Sequence, residues 1–138
     1  MNSNRLVRLK SRPRAMATRE NFVIDTEPVP SLRDGEIEID TKFVSLDPAM
    51  RGWMSEGKSY AAPVGLGDVM RAYAAGHVVA SRHADFREGD AVVGVFGVQS
   101  HPVVDGIRLS HALRPRSRPA TRHLREGRDV GRVHRDVG

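Results

Sequence analysis

The stretch that most constrains the fold is "EIEIDTKF", residues 36 to 43. Ile37, Ile39, Thr41 and Phe43 alternate with Glu36, Glu38, Asp40 and Lys42, and a period of two becomes one apolar and one polar face only in an extended strand. The chain therefore requires a sheet with one buried face, and other segments must supply partners. "RLVRLK" and "NFVIDTE" upstream, with "AAGHVVAS" and "DAVVGVFG" downstream, carry the β-branched residues that suit strands. "SLRDGE" places an Asp-Gly turn before the long strand, and Gly89 with Asp90 supplies a second turn. Short strands at close spacing predict a small, mostly β barrel or sandwich.

Charge divides the chain in two. Residues 1 to 100 hold 13 Lys+Arg against 13 Asp+Glu, whereas residues 101 to 138 hold 9 against 4, so the whole excess of +5 lies in the last part. All lysines and every Phe, Tyr, Trp and Met lie before position 100, while four of six histidines lie after it. The last part also alternates Arg and Pro through "LRPRSRP" and has no sustained apolar face. The expectation is a domain over 1–100 followed by a basic Arg/His/Pro-rich tail over 101–138 that is irregular. Nucleic-acid binding through that tail is a rival reading, weakened because no aromatic residue is interleaved to stack on bases.

No cysteine is present, which excludes disulfides, cysteine-liganded zinc and a thiol nucleophile. The remaining histidines, His77, His83, His111, His123 and His134 among them, match no common zinc spacing. There is no Gly-x-Ser-x-Gly elbow, and "GLGDVM" lacks the glycines and the strand-to-helix setting of a nucleotide loop. No run of about 18 apolar residues offers a membrane span, and the Arg-rich start is not followed by an apolar signal core, so a cytoplasmic location is expected. His77 opens an apolar strand and reads more readily as a hydrogen-bonded strand histidine than as a catalytic base.

"RGWMSEGKSYAAPVGLGDVM", residues 51 to 70, holds four glycines and a proline without periodicity and reads as a long loop. Trp53, Met54 and Tyr60 suit either the wall of an apolar pocket or the packing that holds such a loop down. Immediately before it, "SLDPAMR" interrupts the long strand with a proline-bearing turn. Pro48 fixes its own φ and biases Asp47 toward an extended backbone, aiming the residues that follow off the strand end.

Five segments in order, "NRLVRLKSRP", "ENFVIDTEPVPSLRDGEIEI", "SLDPAMRGWM", "KSYAAPVGLGDVMRA" and "FREGDAVVG", resemble the N-terminal end of the zinc-free medium-chain dehydrogenase/reductases over about Asn4 to Gln99. The similar branch is that of prostaglandin reductases, 2-alkenal double-bond reductases and curcumin reductases. The resemblance implies a GroES-like, partly open β-barrel, here incomplete, that in the family packs against a separate Rossmann domain binding NADP. It implies hydride transfer to the C=C bond of an enal or enone, without zinc. In zinc-dependent relatives a histidine ligand falls near Ala72 when Gly76 is lined up with the last glycine of their motif, so the resemblance implies that His77 is not that ligand.

The same resemblance places Pro48 and Ala49 beside the nicotinamide, and Ala49, Met50 and Tyr60 beside a small-molecule enone or enal substrate. The family turn reads LDPYMR, so its tyrosine is Ala49 here, and one wall of the pocket is lost. Asp47 and Arg51 read as turn and surface-pair residues. After Gln99 the family continues toward a nucleotide loop that this chain does not resemble. The expectation is an N-terminal portion without its Rossmann domain, its tail frameshifted or degenerate, inactive in hydride transfer by itself. A homodimer, or a non-catalytic subunit packing through the uncovered barrel face, are the partner readings.

Overall fold

The structure is a computed structural model that describes residues 2–57 and 60–112. Two antiparallel sheets form a mostly β, GroES-like half-barrel. Strands β1 (Ser3–Leu9) and β2 (Phe22–Pro28) make a hairpin whose connection carries one turn of 3-10 helix at Arg19–Asn21. The second sheet has the order β6-β3-β4-β5-β7, with β3 at Glu36–Val44, β4 at Tyr73–Ser81, β5 at Ala91–Val95, β6 at Val103–Asp105 and β7 at Leu109–His111. A short helix, α1 (Ala49–Trp53), follows β3.

The sheets are laced together by the segment after β5. Val7 N donates to Val98 O (3.0 Å) and Ser100 N to Arg5 O (2.8 Å) on one side. On the other side Thr41 N donates to Ser100 O (2.9 Å) and Ile39 N to Pro102 O (3.0 Å). Backbone donors of β1 and β3 that would otherwise be buried and unpaired are thereby satisfied, and the sheet curls. Met70 N→Val7 O (2.8 Å) and Leu9 N→Asp68 O (3.0 Å) pin the far end of the long connection to β1 in the same way.

Two apolar clusters fill the interior. Ile37, Ile39, Val78, Phe86, Val92 and Phe96 form one under the five-stranded sheet. Leu9, Met50, Trp53, Met54, Val64 and Met70 form the other between the hairpin and α1. The positive-φ glycines Gly35 and Gly89 sit in the two turns expected from sequence.

Three expectations are corrected. Phe43 does not share the buried face of Ile37 and Ile39 but is 75% exposed. Thr41 pairs with Gly76 and Phe43 with Ala75, so Lys42 is an extra residue, and this bulge turns the end of β3 over. Phe43 joins Tyr73, Val93 and Val95 on an apolar outer face. The stretch after Met50 is not all loop, since Arg51–Trp53 belong to α1. The sheet also runs past residue 100: Pro102 is fully buried, and β6 and β7 pair with β3 and β5. Val104 and Leu109 give these short strands their apolar contacts, a local signal submerged in the Arg-rich average of the whole tail. Of the tail expected to be irregular over 101–138, residues 113–138 lie outside the described residues.

Candidate functional site

The turn that leaves β3 is built from its own side chains. Asp47 Oδ1 accepts from Ala49 N at 2.7 Å, satisfying one of the amides left open at the start of α1. Met50 N donates to Asp47 O (3.0 Å) and Arg51 N to Pro48 O (3.2 Å). Pro48 costs nothing here, because its missing N–H would have had no intrahelical acceptor.

Arg51 fixes the turn to the β1–β2 connection. Its Nε donates to Ala15 O (2.8 Å), Nη2 to Pro13 O (2.9 Å) and Nη1 to Ser55 Oγ (2.8 Å). Three positions of a planar fork are thus engaged by three fixed acceptors. Asp47 is the turn residue expected, whereas Arg51 meets carbonyl groups rather than a carboxylate.

Beneath the turn lies an apolar hollow of about 480 Å³ whose walls include Phe22, Leu46, Pro48, Met50, Met54 and Met70. Of the residues expected at a site, Pro48 and Met50 are brought together in its wall. Ala49 is partly buried against the Trp53 cluster rather than lining the hollow. Tyr60 is 81% exposed and does not line it. Trp53 and Met54, at 3% and 6% exposure, are packing residues of the cluster. The Trp53 ring has Tyr73 at 6.2 Å and the Arg71 guanidinium over its face at 5.4 Å.

Phe22, Val7 and Val98 also line this hollow, and sequence reasoning did not select them. They arrive from segments 24 or more residues away in the chain, and only the pairing of β1 with β2 and with residues 98–100 reveals them.

Among the described residues the histidines supply no catalytic arrangement. His77 is exposed on β4 and makes no side-chain hydrogen bond among the described residues. Ala72 is completely buried. Ser100 Oγ lies 3.2 Å from His101 Nδ1, but His101 Nε2 stands 3.9 Å from Asp40 Oδ1, too long for a hydrogen bond, and the serine oxygen already accepts from Arg5 N. Among the described residues no group of three His, Asp or Glu is placed to hold a metal ion.

Two carboxyl groups are held below their ordinary value of 3.8. For Asp40 the main cause is the hydrogen-bonded Lys42 Nζ at 2.7 Å, with the charges of Lys42, His101 and His77 adding to it and burial opposing. For Asp90 the main cause is the Arg87 backbone amide at 2.9 Å, with His111 adding and burial opposing. Depressed folded values stabilise the fold above pH 3.8, and that contribution is lost as pH falls through the lower folded values. Urea midpoints measured from about pH 6 down to about pH 2.5 are expected to fall, and Asp40→Asn with Asp90→Asn is expected to flatten the decline. A decline as steep in the double variant would assign it to other groups.

The comparison that decides the family is a match of residues 5–112 to the model described as the N-terminal domain of oxidoreductase. The chain belongs to this family. It is 39% identical over 103 residues to the NADPH-dependent curcumin reductase of Escherichia coli (strain K12), a match covering 75% of this chain and 30% of that protein. It is 31% identical over 96 residues to prostaglandin reductase 1 of Sus scrofa, covering 70% and 27%. The crystal structure of CurA in complex with NADPH from Vibrio vulnificus superposes with a TM-score of 0.73 at 39% identity, over 80% of this chain and 33% of that one. These relatives place the oxidoreductase N-terminal domain in the curcumin and prostaglandin reductase branch of the medium-chain dehydrogenase/reductases. The chain spans about a third of the length of the relatives it matches. No helix among the described residues is long and apolar enough to cross a membrane.

Proposed function

We propose that this chain forms the substrate-side part of a zinc-independent, NADPH-dependent oxidoreductase that reduces the C=C bond of α,β-unsaturated aldehydes or ketones. The observation that carries the reading is the strand-end turn Leu46–Arg51, rigidly held and walled by Pro48 and Met50, within a domain that matches an oxidoreductase family over residues 5–112.

The described residues suit one portion of a dinucleotide and not the rest. An apolar wall of proline and methionine suits the face of a planar ring, and bound NADPH would supply the hydride there. Among the described residues the only charged groups on this hollow are Asp47, engaged within the turn, and Arg51, engaged by carbonyls of the β1–β2 connection and by Ser55. Nothing else on it suits a pyrophosphate. The chain's own contribution is to orient an apolar substrate and exclude water from it. Ala49 packs against the Trp53 cluster beside the hollow, and on the family resemblance a tyrosine ring at this position would add a wall and a hydroxyl donor at the hollow's edge. The exposed row of Phe43, Tyr73, Val93 and Val95 is a surface that a larger body would cover.

A chimera tests this reading. Residues 5–112 of this chain are grafted onto the remaining length of the Escherichia coli curcumin reductase, and NADPH oxidation is followed with an enal. Turnover is expected, whereas the 138-residue chain alone should consume no NADPH above the blank. Ala49→Tyr in the chimera is expected to change kcat/KM by about tenfold, the equivalent of one good transition-state contact. A folded, NADPH-binding chimera that is inactive with either residue at position 49 would sink the proposal.

A further inference from the structure

A second hollow, of about 320 Å³, lies where β1 faces the bulged end of β3, with Leu6, Ile24, Val44 and Val98 as apolar walls. Among the described residues the only charged ones lining it are Arg5 and Lys42, both cations, and no carboxylate lines it. Lys42 is held at the edge by Asp40, its Nζ 2.7 Å from Oδ2. Arg5 is exposed, and among the described residues no carboxylate lies within ion-pairing distance of it. A guanidinium without a partner, at the rim of an apolar groove, matches an oxyanion joined to a hydrocarbon body.

We propose that this groove binds a small amphipathic anion, an alkyl or aryl carboxylate, with its head on Arg5 and Lys42 and its body on Leu6, Val44 and Val98. The bulge in β3 makes the site, because the extra residue puts Lys42 at the groove mouth while Thr41 and Val44 remain in its wall. Its volume holds about ten water-sized units at ~30 Å³ each, which limits the body to a medium chain or a single substituted ring. The proposal goes beyond the oxidoreductase reading. The site borders the hollow under Pro48, since Val7 and Val98 line both, but uses different charged residues.

Decanoate titrated into the full chain, followed by amide NMR shifts, tests it. Shifts are expected at Arg5–Val7, Lys42–Val44 and Val98–Ser100. Arg5→Gln should weaken binding about tenfold, the loss of one charge-assisted contact, and Arg5→Lys should recover part of it. Raising the salt from about 0.05 M to about 0.5 M should weaken decanoate and leave decan-1-ol unchanged. Decanol binding as tightly as decanoate would remove the anionic head from the proposal, and acetate binding as tightly would remove the apolar body. Either result overturns it, as do decanoate shifts confined to Leu46–Met54.

Discussion

Gly76→Val is expected to cost the folded state about 3 kcal/mol or more, and Gly76→Ala about 2 kcal/mol, at the upper end of overpacking changes. The reason is what a Cβ at this position would meet. It would stand 2.3 Å from Asp40 O and 2.8 Å from Ile39 Cγ2. The first obstacle is backbone of the neighbouring strand, so no rotamer change relieves it. The sheet itself would have to open between β3 and β4, beside the bulge at Lys42. Gly52 in α1 provides the contrast of sign. Nothing lies within 4 Å of its Cβ position, and it is exposed in a helix, so Gly52→Ala is expected to stabilise by about 0.5 to 1 kcal/mol. Urea unfolding followed by circular dichroism measures both. A Gly76→Ala midpoint equal to that of the unaltered chain would mean that β3 and β4 are not in the contact described.

The same bulge shows where sequence reading succeeds and where it stops. The five longer strands are legible because their alternation and their flanking Asp-Gly and Gly-Asp turns are local properties. Phe43 is misplaced by the same rule, because the extra residue at Lys42 is decided by the approach of Gly76 across the sheet. Helix α1 hides among residues that read as loop. Its five residues are too few to show a period, and its stability comes from Met50 and Trp53 packing beneath it. The three-residue strands β6 and β7 are likewise too short for periodicity, and the arginines downstream mask them. At the site, Pro48 and Met50 are legible through resemblance to a family motif. Tyr60 belongs to the next of the resembling segments, KSYAAPVGLGDVMRA, yet stands out in solvent. Phe22, Val7 and Val98 are placed by pairing across more than ninety residues of chain in the case of Val7 with Val98, which no local pattern encodes.

The largest expected side-chain effect is at Trp53. Trp53→Ala should cost about 3 to 5 kcal/mol, because a buried Trp is removed from between Leu9, Met50, Met54 and Met70 and the cavity cannot collapse onto backbone pinned to β1. A loss of that size is a large part of the roughly 5 to 15 kcal/mol that holds a domain together. Trp53→Phe should cost about 1 to 2 kcal/mol. The indole Nε1 is buried without a hydrogen-bond partner among the described residues, so phenylalanine gives up area but no bond. Trp53 is the chain's single tryptophan, and circular dichroism must replace fluorescence as the readout. The cluster it occupies is separate from the one under β3, β4 and β5. Loss of the ring should therefore loosen the site before it loosens the sheet. Amide exchange in Trp53→Ala is expected to rise at Met50–Met54 and Asp68–Met70 while Ile37, Ile39 and Val78 stay protected. A uniform rise would mean that the two clusters unfold as one unit, and that the rigidity of the Pro48 turn is a property of the whole barrel rather than of this residue.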